Sequence, residues 1–439
     1  MKKLLILFLG IGLAVSAFAG GQSGGGAAEA KEVRMWTFLN PAGENPAGRN
    51  LALKKIIENF EDQNPNVKIT VEPQQWDIMT SKFLAAHQAG TAPDIQWVIS
   101  YELGTAIKLG ALQDFESMFL NEWSKDEVAD IDDSFFQWGL TDGKHYQVTH
   151  SRNYFCPMIR QDLFDQYGLS SDIKSWEALI SAAKKFNGTD ATTGIQRWGL
   201  GQAFGTGKVD PPLFIYAMLD RQESLFTADG KADWANRVGA ESLQGMIDMI
   251  TEHKITPETA VSYDQEEVFQ DFTAGKYGMI SGAAVRVPTL RREAKAFDPL
   301  SVQLIFWPSW SGGDYARGLF SGWAVGVWSK SKVMAEAADF QQFMMSEESD
   351  KLWVLDGGQV PVRKSTITAL GSFFADPANA YLAKMAEGFA KYCWVTPTDV
   401  TISGWREDLN KAAQDVVVNG TDPLEALRKV AKDFDDRNM

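Results

Sequence analysis

Cysteine is almost absent: the 439-residue chain has only Cys156 and Cys393. Neither sits at metal-ligand spacing, so a zinc knuckle or a disulfide-dense scaffold is excluded. Spacing leaves open whether the two are bridged or are buried free thiols. Histidine is nearly as scarce, with His87, His145, His150 and His253 scattered and no HExxH. No G-x-S-x-G nucleophile elbow occurs. Gly205-Thr206-Gly207-Lys208 falls short of a phosphate loop. Gln202 stands where its first glycine must be, and Val209 where Ser or Thr must follow. Basic residues are in deficit, 42 against 57 acidic, for a net charge of −15. That argues against nucleic acid and anionic membrane as partners, since both need clustered cations. Beyond the N-terminus no apolar run is long enough to span a bilayer.

What is present begins with an export signal. Lys2-Lys3 precedes the short apolar run Leu4 to Val15, and Ala17-Phe18-Ala19 satisfies the small-x-small rule. Residues 1–19 are therefore expected to be a signal peptide cleaved after Ala19. No cysteine follows to carry a lipid. Residues 20–30, rich in Gly, Ala and Ser, are expected to be a flexible leader. The expected location is periplasmic or extracellular.

The mature chain alternates strand and helix patterns. Val33 to Phe38 and Val67 to Val71 read as strands, and Asn50 to Phe60 as a helix between them. The stretch Ala89 to Phe115 organises the rest. Gly90 and Pro93 close a helix, and Ile95 to Ile99 is a buried strand. A helix from Ser100 to Gly110 follows. Strand–helix–strand order implies a parallel sheet with right-handed crossovers. Ligands of open α/β sheets sit beyond the carboxyl ends of the strands, which draws attention to Asp94, Trp97, Ser100, Tyr101 and Glu102. Further on, Ser175 caps a helix to Phe186, Leu304 to Trp310 reads as a strand, and the chain ends in helices from Trp405 and Asp422.

Several motifs occur in an order that resembles a known family. They are Gly90-Thr91-Ala92-Pro93-Asp94 with Leu109-Gly110-Ala111-Leu112, then Asp142-Gly143-Lys144, Asp162-Leu163-Phe164, Ser175-Trp176-Glu177, Phe272 to Lys276, and Gly358 to Arg363. Together they resemble the extracellular solute-binding proteins of sugar ABC transporters, the maltose-binding-protein-like group. The resemblance implies an α/β, two-lobed periplasmic-binding-protein-like (type II) fold. Each lobe would be an open sheet flanked by helices, with hinge crossovers. The lobes are expected over 31–149 with 312–364, and 150–311 with 365–439. Three departures stand out: Thr149 where the family has Pro, Ile159-Arg160 where it has Tyr-Asn, and Gly282-Ala283-Ala284 where it places an aromatic.

The chain carries 15 Trp. Roughly two-thirds are expected to serve core or surface packing, since aromatics bury large areas. Trp36, Trp76 and Trp97 are singled out by lying at or near strand ends, and Trp307, Trp310 and Trp323 by flanking a presumed second crossing. The resemblance adds Trp405. An indole face suits the C–H face of a pyranose, and polar side chains suit its hydroxyls. The polar candidates are Asn40, Glu44, Gln75, Asp94, Glu102, Arg152, Arg363 and Arg406, with Tyr154 beside Arg152. Asp94 serves equally as a turn tie, and Arg363 as a hinge brace. The expectation is a monomeric receptor, not an enzyme, with no metal and no cofactor. It would take a sugar or oligosaccharide and, by the resemblance, deliver it to ABC transporter membrane subunits. The alternatives are a secreted carbohydrate hydrolase, whose carboxylate pair an acidic chain neither reveals nor excludes, and a receptor for an anion or peptide.

Overall fold

The computed structural model describes residues 30–99, 102–133, 139–191, 193–205, 211–310, 312–397 and 404–438, without the side chains of 149–152, 321 and 390. The expected signal peptide, the leader up to residue 29, Ser100-Tyr101 and 206–209 of the incomplete phosphate loop lie outside the described residues.

The strands are β1 (Lys31–Thr37), β2 (Val67–Pro73), β3 (Ile95–Ile99), β4 (Leu140–Thr141), β5 (Lys144–His145), β6 (Val148–Tyr154), β7 (Cys156–Arg160), β8 (Gly188–Thr189), β9 (Gln196–Gly201), β10 (Tyr277–Gly282), β11 (Val302–Leu304), β12 (Gly318–Val327) and β13 (Cys393–Trp394). One sheet runs β13-β12-β3-β1-β2, with β6 also on β12. A second runs β11-β7-β10-β9-β8. In the first, β1 pairs β2 and β3 in parallel, as the strand–helix–strand pattern requires. The crossover helices Arg49–Gln63 and Met79–Ala89 cover it. Gly90, at φ 72°, closes the second of these in the left-handed region expected of it. β3, parallel to β1 and antiparallel to β12, is central and buried at all five positions.

The chain passes between the sheets at β6–β7 with Phe155 alone separating the two strands. It returns between β11 and β12. The expected strand Leu304 to Trp310 stops at Leu304. Pro308 has no N–H for a ladder, and Trp307 turns inward. Its indole lies between Tyr216 (4.4 Å) and Trp176 (5.5 Å), near-parallel to both. Its Nε1 donates to the Phe155 carbonyl at 2.9 Å. Ser175 caps the helix Trp176–Phe186 as expected, accepting from the Ala178 N–H.

The C-terminal helices Trp405–Asn419 and Pro423–Asn438 share the largest core with the helix Arg237–Thr251. Cys156 and Cys393 are free thiols. Cys156 lies fully buried with its Sγ 3.6 Å from Met385 Sδ.

The segment at Arg363 is braced by an ion pair and a carboxylate that holds its backbone. Asp350 accepts from the Val362 and Arg363 N–H groups. Arg363 donates to the Met345 carbonyl and to Asp130 Oδ2 at 2.9 Å, and Ser365 donates to the same carboxylate. Burial alone would raise the Asp130 pKa, but the Ser365 and Arg363 bonds outweigh it and hold it below the usual carboxylate range. A depressed folded-state pKa contributes stability above the unfolded value of about 3.9, lost as pH falls through the folded value. Melting of Asp130→Asn against wild type across this range tests it. The difference should be largest near neutrality and shrink below about pH 4.

Candidate functional site

A cavity of about 250 Å³ opens between the two sheets. From the side of the first sheet come Phe38 after β1, Trp76 after β2, Ile99 ending β3, Arg49 opening a helix, and Gly322-Trp323 in β12. From the other side come Phe155 at the passage, Ser281-Gly282-Ala283 at the end of β10, and Arg286. Gln265, Glu266 and Phe269 follow from the helix Gln265–Thr273, and Arg406 from the first turn of the last-but-one helix. The site thus lies beyond carboxyl ends of parallel strands, where backbone groups and loop side chains are left to face a ligand.

Local structure fixes these groups. A capping box between Asp264 and Glu267 sets the start of the helix Gln265–Thr273. Gln265 Nε2 ties it to the Ser281 carbonyl at 2.7 Å. Phe38 packs on Trp323 at 4.6 Å and meets the edge of Trp97 at 5.7 Å. Trp76 extends this aromatic wall and is half-buried against the same core. The Arg49 guanidinium lies 4.8 Å from the Phe38 centroid, and that of Arg286 lies 4.9 Å from Phe269. Arg286 also pairs with Glu266. Burial, then repulsion from Arg286, pushes the Arg49 pKa down to about 10.

Of the sequence candidates, Trp76, Trp323 and Arg406 line this cavity. Glu102 sits behind it, half-buried; burial raises its pKa, against a bond with Thr80 and the field of Arg406. Asn40, Glu44 and Gln75 are exposed on loops and are not lining residues. The side chain of Arg152 lies outside the described residues.

Other candidates are engaged elsewhere, which corrects the expectation for each. Trp97 is fully buried against Phe38 and Trp353. Trp36 is buried in a separate core, its Nε1 donating to Glu72 at 2.6 Å. Trp405 faces the core against Phe226, while Arg406 next to it on the helix reaches the cavity; adjacent helical positions point about 100° apart. Trp307 is locked in its stack. Trp310 is half-buried beside Gly245 and Trp176, its backbone N–H held by Asp220. Tyr154 is fully buried between Phe306 and Phe389. Asp94 is not a lining residue; its carboxylate accepts from the Arg34 N–H and the Ser331 hydroxyl, so it ties β1 to the segment after β12 rather than closing a turn of its own. Arg363 is the brace described above.

Sequence reasoning missed Phe38, Arg49, Phe155, Gln265, Glu266, Phe269 and Arg286. Phe38 and Arg49 had a signal, since both follow the first strand. The helix carrying Gln265 and Glu266 had none. The aromatic absent at Gly282-Ala283-Ala284 has its counterpart in Phe269 and Phe155, and small groups there leave the cavity its space.

No helix among the described residues is long and apolar enough to cross a membrane, and no His/Cys/Asp/Glu group among them has the arrangement of a metal site. The chain is similar to a binding protein of Brucella abortus (strain 2308), 23% identical over 408 residues and 92% of each chain. It is 20% identical to the Escherichia coli K12 ABC transporter periplasmic-binding protein YcjN over 73% of this chain and 71% of that one. Among solved structures, maltose-bound T. maritima MalE3 superposes with a TM-score of 0.75 at 19% identity, covering 93% of this chain and 100% of that one. An ABC substrate-binding protein of Listeria monocytogenes in complex with cycloalternan gives 0.73 at 20%, covering 93% and 99%. A Thermotoga lettingae ABC transporter solute-binding protein with α-D-tagatose gives 0.75 at 19%, with the same coverage as the Listeria protein. The fold is therefore that of two-lobed solute-binding proteins. Residues 55–381, well over half of the chain, match the family described as bacterial extracellular solute-binding protein, and the chain belongs to that family.

Proposed function

We propose that this protein captures a sugar or oligosaccharide in the cavity and delivers it to the membrane subunits of an ABC transporter. The observation that carries this reading is the wall of Phe38, Trp76 and Trp323, with Arg49 on its own side, facing Gln265, Glu266, Arg286 and Arg406. One side suits the apolar face of a sugar ring, the other its hydroxyls. A hydroxyl buried without a partner is costly, so the polar side selects among sugars. The sugars held by the structural neighbours support the reading. The cavity volume lies just below the usual ~300–1,000 Å³ of ligand pockets, which favours the short end of the saccharide range.

Lining groups come from both sheets, so a ligand touching both favours closure, and hinge motion at the passages follows. The lobes are taken as 31–149 with 312–364, and 150–311 with 365–439. The protein is taken to act as a monomer after export, with residues 1–19 removed. Nothing is cleaved or formed in the cavity. Incubation of the purified protein with oligosaccharides tests this. Saturable one-to-one binding with no new reducing ends is expected, and turnover would overthrow the receptor reading in favour of a hydrolase.

A further inference from the structure

Asn153 lines the cavity from β6, two positions before Phe155 at the passage between the sheets. Its Oδ1 is buried and has no hydrogen-bond partner. A buried carbonyl left unpaired costs stability, and a leucine of the same shape would remove that cost. The other end of the amide, Nδ2, is the end left to the cavity. A second amide stands nearby. Gln265 also lines the cavity, and its Nε2 is taken by the Ser281 carbonyl at 2.7 Å. That bond fixes the amide and leaves Oε1 as an acceptor for a ligand. Ser281 and Gly282 of β10 pair with Pro157 and Cys156 of β7, so the anchor of Gln265 lies beside the strand that begins just after Phe155. The two amides therefore reach the cavity from neighbouring strand ends, one as donor and one as acceptor.

We propose that Asn153 and Gln265 together read one hydroxyl of the sugar, which accepts from Asn153 Nδ2 and donates to Gln265 Oε1. This rests on the sugar-receptor reading and narrows it to a ligand with a hydroxyl, not a carboxylate, at this point. A hydroxyl both accepts and donates, so it satisfies the two amides at once, and each bond strengthens the other. A carboxylate only accepts. It would take the Asn153 bond but set its negative charge against Gln265 Oε1. A ring carbon without its hydroxyl leaves both amides unpaired in a space closed to water. The amide at position 153 is thus kept for the ligand, although it destabilises the unliganded fold.

The test is calorimetric titration of the full protein with glucose, galactose, mannose, xylose, maltose and cellobiose, then with each monodeoxy derivative of the best binder. It is repeated with Asn153→Leu and Gln265→Leu, and melting curves of the unliganded proteins accompany it. Asn153→Leu is expected to melt no lower than wild type and to bind about 10- to 100-fold more weakly. One deoxy position should cost wild type a similar factor and cost either variant almost nothing further, because the contact it removes is already gone. If Asn153→Leu binds as wild type does, the proposal falls and the sugar receptor stands. If it melts clearly lower, the amide serves the fold and the proposal falls. If the two variants silence different deoxy positions, the shared hydroxyl is overturned. If wild type binds none of these sugars, the receptor reading falls and the proposal with it.

Discussion

Trp76→Ala is expected to lower ligand affinity by about 10- to 100-fold while leaving the melting temperature of the unliganded protein nearly unchanged. Trp76 is half-buried at the edge of the first-sheet core and lines the cavity. Its truncation removes one face of the aromatic wall without opening a closed core. Fully covering an aromatic side chain is worth about 1.5–3 kcal/mol, and each ~1.4 kcal/mol is a factor of ten in affinity. Titration calorimetry with the best-binding saccharide measures the loss, and a melting curve separates it from unfolding. Trp323→Ala is a less clean probe, because Trp323 also packs into the core beside Phe38. An unchanged affinity in Trp76→Ala would place the ligand elsewhere.

Trp307→Ala should show the opposite division, with a large loss of stability. The indole is fully buried, stacked between Trp176 and Tyr216, and bonded to the Phe155 carbonyl. Large-to-small changes at such sites cost about 3–5 kcal/mol, and leaving the Phe155 carbonyl without this donor adds to that. At roughly 2–4 °C per kcal/mol for a chain segment of this size, melting should fall by about 10 °C. Phe155 lies at the passage between the sheets and lines the cavity, so affinity should fall as well. Trp307→Phe separates the two effects. It keeps much of the stack and loses the hydrogen bond, so it should melt between wild type and the alanine variant.

The secondary structure was readable because its signals are local. Ile95–Ile99, Trp176–Phe186 and Trp405–Asn419 form over the expected residues. Each is bounded by a capping residue, a glycine or a proline that acts on its own neighbours. The strand after Leu304 was misread because an apolar run does not say whether its side chains alternate across a sheet or fold into a stack. The same limit governs the tryptophans. Trp36 and Trp97 share strand-end sequence signals with Trp76, but which face each occupies depends on the partner strands. Trp405 and Arg406 divide between core and cavity by one helical step. The second wall of the cavity comes from a helix 190 or so positions after the first wall, a proximity that only chain topology creates.

The account's central claim is that two halves close on one solute. Small-angle X-ray scattering across a titration with a binding saccharide measures this most directly. A radius of gyration that falls in step with binding and saturates with it is the predicted result, while full occupancy with no change in radius would contradict the clamp.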